Sequence, residues 1–408
     1  DLARLMLPDA FSVLRMETRE GAELLYGEED IEKAFSLWDT VPYHTKREVG
    51  EFEIFLKDSG HILGSAMVEI SLGNSPLVKG APESAKGRDI SPNKGSTVVF
   101  DRRGVTTPTP QDGDAPLSEQ PPKAAPFVKG DGDTEPTRKI VFTGDLGNYP
   151  TPLLKQAENI TGATYLVMES VYGDRNHEGG EMRKKRLEEV IRDTIHRKGV
   201  LLIPCFSLEK TQVLLSEMDE LFSAQGACPP IGRRGSAHSG GEDNPFGNVP
   251  VFLDSPLAIK VTDVYRRYTD TLNQEAQKRL RGGDDIFSFK NLRLTMDARM
   301  SSEIERTPSP KIIIAGSGMS AGGRILDHER RYLGDPSNTI LFIGYQAIGG
   351  LGRQIQEGVK HLHINHQEVT VKARIETVTG YSSHMDGDHL QTFAEKAAEG
   401  GTLEKVFV

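Results

Sequence analysis

The chain has 408 residues, 37% of them hydrophobic, and a formal net charge of −10. Its length calls for two domains or one domain with a large insert, and the low apolar share implies that some of it does not pack. The acidic balance removes a global basic footprint for nucleic acid while leaving room for a local groove. Two cysteines, Cys205 and Cys228, form neither a disulfide framework nor a CxxC site, and no apolar run reaches membrane-spanning length, so a reducing, cytoplasmic setting is expected.

Asp1 to Met16 carries Leu2, Leu5, Met6, Phe11 and Leu14 at helical spacing, and Glu28 to Trp38 reads as a second helix. Glu51 to Leu72 alternates into strands. Phe52, Ile54 and Leu56 share one face, Asp58-Ser59-Gly60 makes a turn, and a strand follows around Met67, Val68 and Ile70. His61 stands between turn and strand, where a lone histidine is either structural or a ligand. Residues 73–138 are dense in Pro, Gly, Ser and Asp and read as a disordered insertion; 223–248 reads as a second, flexible one. Cys228 and His238 fall in the latter and are discounted as ligands.

Lys139 to Asp174 reads as strand, turn, short helix, strand, turn. One apolar run, Ile140 to Thr143, ends at Gly144-Asp145. Another, Tyr165 to Met168, ends at Glu169 and the Tyr172-Gly173-Asp174 turn. Each strand delivers a carboxylate at its C-terminal end, the edge where open α/β sheets bind ligands. Such an Asp and Glu ligate metal or move protons, or simply make turns.

From Glu181 the pattern alternates regularly. A helix to Lys198 precedes a buried strand at Val200–Pro204. Ser207 is placed to cap the next helix, and a strand at Val249–Leu253 leads to Ser255 and Pro256 at a helix start. Two further strands run into glycine loops, GSGMSAGGR at 316–324 and GYQAIGGLGR at 344–353. This alternation predicts a parallel sheet covered on both faces. The first loop offers the backbone of Ser317, Gly318, Met319, Ser320, Gly322 and Gly323, with Arg324, as an anion site, or it is a plain tight turn. The second repeats the logic with Arg353, and together the two suit a run of phosphates. His361 and His363 share one side of a strand, as a metal pair or a solvated edge. His384 follows a strand and precedes a helix, on the same edge as Asp145 and Glu169; His389 reads as surface.

HILGSA (61–66), FTGDLGN (142–148), MESVYGDR (168–175), IPCFSLEKTQ (203–212), FLDSPLAIKVTDVYRRY (252–268), IIIAGSGMSAGGRI (312–325), ILFIGYQAIGGLGRQI (340–355) and ARIETVTGYSSHMDGD (373–388) resemble the β-CASP branch of the metallo-β-lactamase fold. The resemblance is to its RNA-cleaving members, bacterial and archaeal relatives of the endonuclease of pre-mRNA 3′-end processing. It implies an αββα domain built from 1–180 and 373–408, with a β-CASP α/β domain inserted at 181–372. It further implies two zinc ions, with His61 as a ligand and Asp145 as a bridge, and Glu169 and His384 paired in proton transfer. The glycine loops, Arg324, Arg353, Ser382 and Ser383 would hold RNA phosphates. The implied activity is zinc-dependent hydrolysis of single-stranded RNA in processing or decay, with no membrane partner and a homodimer left open. A DNA nuclease of the same superfamily, a catalytically dead RNA-binding scaffold and a small-molecule metallohydrolase are the alternatives.

The family's His-x-His-x-Asp-His motif and its third β-CASP histidine do not occur in these residues, and both ends read as cut inside structured sequence. With only His61 and Asp145 of the expected ligands, this segment alone is expected to bind zinc weakly and to be inactive.

Overall fold

The computed structural model describes residues 1–18, 24–72, 138–224 and 246–408. The expected insertions at 73–138 and 223–248 fall almost wholly outside the described residues, as do Cys228 and His238. In chain order the elements are α1 (Leu2–Glu17), α2 (Glu28–Ser36), β1 (Lys46–Val49), β2 (Phe52–Asp58), β3 (Ala66–Leu72), β4 (Lys139–Phe142), β5 (Tyr165–Val167), α3 (Gly180–His196), β6 (Val200–Pro204) and α4 (Lys210–Ala224). There follow β7 (Val251–Asp254), α5 (Pro256–Arg267), α6 (Gln274–Arg281), β8 (Leu292–Leu294), α7 (Ala298–Arg306), β9 (Lys311–Ala315), α8 (Ile325–Tyr332) and β10 (Thr339–Phe342). The last are α9 (Leu351–Gln356), β11 (His361–Ile364), β12 (Gln367–Thr370), β13 (Arg374–Thr377), α10 (Gly387–Ala398) and β14 (Lys405–Phe407).

Two six-stranded sheets result. The first runs β1-β2-β3-β4-β5-β14, antiparallel through β4 and parallel from β4 to β14. Strand alternation sends Met67, Val141 and Leu166 to one face, where Leu390, Phe393 and Ala397 of α10 bury them. Ile54, Val68 and Ile70 on the other face are half-buried, and Phe142 is exposed. Of the expected αββα layering, the described residues therefore supply one β-layer and its helix.

The second sheet, β13-β10-β6-β9-β7-β8, is parallel throughout. Its inner strands are buried along their whole length. That is the pattern of a sheet covered on both faces, and separate apolar clusters lie on its two sides. Leu63, Leu153 and Leu154, from loops of the first sheet, sit in one of those clusters, and Leu2, Leu5 and Met6 of α1 pack against it.

Three expectations are corrected. No helix forms between β4 and β5. Pro150 and Pro152 lack N–H donors, and the Thr151 hydroxyl instead accepts from Leu153 N (3.2 Å) and Leu154 N (3.1 Å), holding a local turn. The return to the first sheet does not fall at residue 373, because β13 pairs in parallel with β10 and completes the second sheet. Ser207 does not cap a helix: α4 begins at Lys210, and the Ser207 hydroxyl faces Ser255 Oγ at 3.2 Å. Among the described residues, no helix is long and apolar enough to cross a membrane.

Candidate metal centre

Three loops meet at the junction of the sheets, and backbone contacts set their spacing. In the first, Gly60 N donates to Asp58 Oδ1 at 2.8 Å, and His61 N and Ile62 N donate to Ser65 Oγ at 3.1 and 3.2 Å. The second carries Asp145 and closes on the first at Gly147. Gly147 N donates to Ser59 O at 2.8 Å, and a Cβ on Gly147 would lie 2.0 Å from Gly60 O, so only glycine fits. The third carries His384. Asn148 N donates to Ser383 O (2.9 Å) and Met385 N to Leu146 O (2.8 Å), stitching it to the second. As a result His61, Asp145 and His384 each present a ligand atom within 4.8 Å of the others.

His61 Nδ1 lies 3.1 Å from Ser383 O and donates to it, which leaves the Nε2 lone pair free, 3.6 Å from Asp145 Oδ2. Burial, then the neighbouring His384, lowers the His61 pKa and favours the neutral, ligating form. His384 Nδ1 lies 3.0 Å from Glu169 Oε2, and Leu146 N donates to the other Glu169 oxygen. Glu169 is thus held from both sides with its side chain 6% exposed, whereas that of Asp145 is 57% exposed. The His61 and His384 rings lie 4.5 Å apart. Two imidazoles and a carboxylate make a donor set suited to zinc. Among the described residues this is the one such cluster, and it fits one ion better than a pair.

The remaining predicted residues separate into groups. Ser317, Gly318 and Ser383 line a cleft of about 460 Å³ shared with His61 and His384. Ser382 and Arg353 line a smaller cleft of about 220 Å³, with Tyr172, Arg175 and Tyr345. Gly322 and Gly323 border a third, of about 390 Å³. Met319 is half-buried, and Ser320 is buried with its hydroxyl donating to Glu329. Arg324 donates to Asp254 Oδ1 at 2.6 Å and to Thr295 O at 3.2 Å. His361 and His363 stand exposed on the β11–β12 hairpin, with His361 Nδ1 3.4 Å from Glu368, and His389 Nδ1 is 2.7 Å from Asp386 Oδ1. Sequence reading missed Phe206 and Lys210, which also line the large cleft. Their signal was available: they follow β6 at the same strand edge as the glycine loops.

A Beta-Casp domain family model matches residues 236–355. Ribonuclease TTHA0252 of Thermus thermophilus is 31% identical over 264 residues, covering 65% of this chain and 56% of its own length. The transcription termination factor FttA of Pyrococcus horikoshii is 25% identical over 393 residues, 94% of this chain and 48% of its own. The endoribonuclease YSH1 of Saccharomyces cerevisiae is 23% identical over 379 residues, 92% of this chain and 38% of its own. The chain thus spans about half the length of the curated relatives it matches. The Beta-Casp match falls on strands β7 to β10 of the parallel second sheet, and outside it the chain remains similar to these relatives over most of its length.

Proposed function

We propose that the protein is a metal-dependent ribonuclease that hydrolyses RNA phosphodiester bonds at the junction of its two sheets, acting in RNA processing or decay. The observation that carries this reading is the carboxylate-backed imidazole, Glu169–His384, set against His61 and Asp145 beside a cleft rimmed by the first glycine loop. The names of the relatives, two of them ribonucleases, support the same substrate class.

His61 Nε2 and Asp145 would hold the metal, zinc by their chemistry. A bound divalent ion would lower the pKa of a water and offset charge on the phosphoryl group. The chain's own residues do the rest. Glu169 fixes the His384 ring through Nδ1 and leaves Nε2 to deliver a proton to the leaving oxygen. Ser317, Gly318 and Ser383 line the path of the strand. A cleft of about 460 Å³ accepts one backbone rather than a duplex, so the substrate is proposed as single-stranded. A buried free thiol at Cys205 suits the reducing cytoplasm.

Two zinc ions need more donors than His61 and Asp145. The 408 residues alone should therefore hold zinc weakly, and cleavage is expected where the remaining ligands are supplied. The test incubates the full-length gene product with labelled single-stranded RNA and with DNA of the same sequence. Metal-dependent cutting of the RNA, stopped by chelation and by Asp145→Ala, is the expected result. Preferential cutting of the DNA, or RNA binding with no cutting at any metal concentration, defeats the reading.

A further inference from the structure

Lys210 occupies an unusual position for a cation. It opens α4 at the C-terminal edge of the second sheet, and its Nζ lies 4.8 Å from the centroid of the Phe206 ring. A Cβ on Gly344 would come within 3.2 Å of that Nζ, so the ammonium rests against the backbone of the second glycine loop. Phe206 in turn presses on the first loop, where a Cβ on Gly318 would lie 2.5 Å from its ring. Both glycines are needed for these segments to close into one wall, and Lys210 is the charge in that wall.

That charge has no counter-ion among the described residues. Lys210 makes no ion pair and no side-chain hydrogen bond there, and its pKa is lowered by burial. The adjacent carboxylate, Glu209, is turned away and accepts the Tyr265 hydroxyl. The neighbouring Cys205 thiol is pushed up to about 11 by burial and stays neutral. An ammonium withdrawn from water without a partner is costly, and an incoming anion removes that cost. Lys210 shares its cleft with Ser207, Ser317, Ser383, His61 and His384, so the open side of the charge faces the path proposed for the substrate.

We propose that Lys210 is a phosphate-binding residue, its ammonium gripping a backbone phosphate of the strand that lies beside His61 and His384. The proposal rests on the ribonuclease reading for the identity of the strand, though not for the existence of an anion site. Arg324 is committed to Asp254, so Lys210 takes the phosphate-holding part expected of that arginine.

The test measures binding, so it needs no activity. The 408-residue chain, Lys210→Met and Lys210→Arg are titrated with a short fluorescent single-stranded RNA across a salt series. Lys210→Met should weaken binding about tenfold and reduce the log–log salt slope by about 0.7, the loss of one phosphate contact on a single strand. Lys210→Arg should keep most of both, and thermal melting should be unchanged. In parallel, acetic anhydride labelling of the wild-type chain is read by mass spectrometry with and without inorganic phosphate. Phosphate should shield Lys210 selectively, and this arm stands even if the methionine variant fails to fold. Equal RNA affinity and equal slope in Lys210→Met, or no shielding by phosphate, overturns the proposal. If the wild type binds no RNA while phosphate still shields Lys210, the ribonuclease reading fails and the anion site survives.

Discussion

Asp145 and Asp254 look alike in the sequence: each stands at the C-terminal end of an apolar strand, beside a small-residue turn. In the structure they are opposites. The Asp254 side chain is 0% exposed and accepts from Thr295 Oγ1 (2.7 Å), Ser301 Oγ (2.7 Å), His328 Nε2 (2.8 Å) and Arg324 (2.6 Å). Burial alone would raise its pKa, yet these hydrogen bonds hold the carboxyl well below the usual range. Among the described residues Asp145 has one ion-pair-range neighbour, the His61 imidazole held neutral at 3.6 Å, and it lies largely in solvent. A carboxylate whose acceptor sites are full is part of the framework; one left mostly unfilled beside two histidines keeps capacity for a ligand. The contrast also explains Arg324, which anchors the first glycine loop to β7 and is spent on structure.

Breaking the saturated side of this comparison should have the largest effect. Asp254→Ala strips a buried network of its centre and leaves Arg324 and His328 unpaired, so stability should fall by about 3–5 kcal/mol in urea denaturation; a loss under about 1 kcal/mol would mean that the network is not a lock. Next comes Glu169→Gln, which keeps the shape but weakens the hold on His384. Cleavage in the full-length protein should drop about 10–100-fold, with melting nearly unchanged.

Two further carboxyls sharpen the comparison through pH. Glu209 and Glu329 are buried, with one hydroxyl partner each, and are pushed up to about 8 from an ordinary 4.5. The folded state then holds protons that the unfolded chain has released. Stability should decline as pH rises from 4.5 through about 8, by up to about 1.4 kcal/mol per pH unit for each group, and level off above. Glu209→Gln should flatten that slope; a variant with the wild-type pH profile contradicts the assignment. Ser255→Ala removes the cap that accepts from Ala258 N at 3.3 Å and should lower stability by about 1 kcal/mol. The smallest change belongs to Asp145→Ala, expected within about 0.5 kcal/mol of wild type in the same denaturation experiment. If it unfolds the chain, Asp145 is framework after all.

Much of this was legible because strand ends announce themselves. Apolar runs that end in polar turns place Asp145, Glu169, Ser317 and His384 on sheet edges from sequence alone, and the Ser255–Pro256 helix start is legible as well. What failed depends on partners distant in the chain. Nothing local says that Arg324 meets Asp254, 70 residues away, or that β13 chooses β10 over the first sheet. The absent helix after β4 was a local error. Pro150, Thr151 and Pro152 carry the turn chemistry that prevents it. Lys210 was overlooked because a single lysine at a helix start is ordinary until its lack of a counter-ion is visible.

The packing of Leu63, Leu153 and Leu154 bears on how a substrate gets in. These side chains leave loops of the first sheet and end inside the apolar cluster of the second, and Leu63 N also donates to the Tyr265 hydroxyl at 3.4 Å. Swinging the two halves apart would expose three leucines, each worth about 1.5–3 kcal/mol when buried. A fully gaping form would then be populated in roughly one molecule in a thousand or fewer. Entry by such a swing would also drag the His61 loop out of register. If the proposed ribonuclease reading holds, the economical route would be lengthwise through the standing cleft that Lys210 and His384 both line, and a free end, a gap in secondary structure or a partner that feeds the strand would set the pace of turnover.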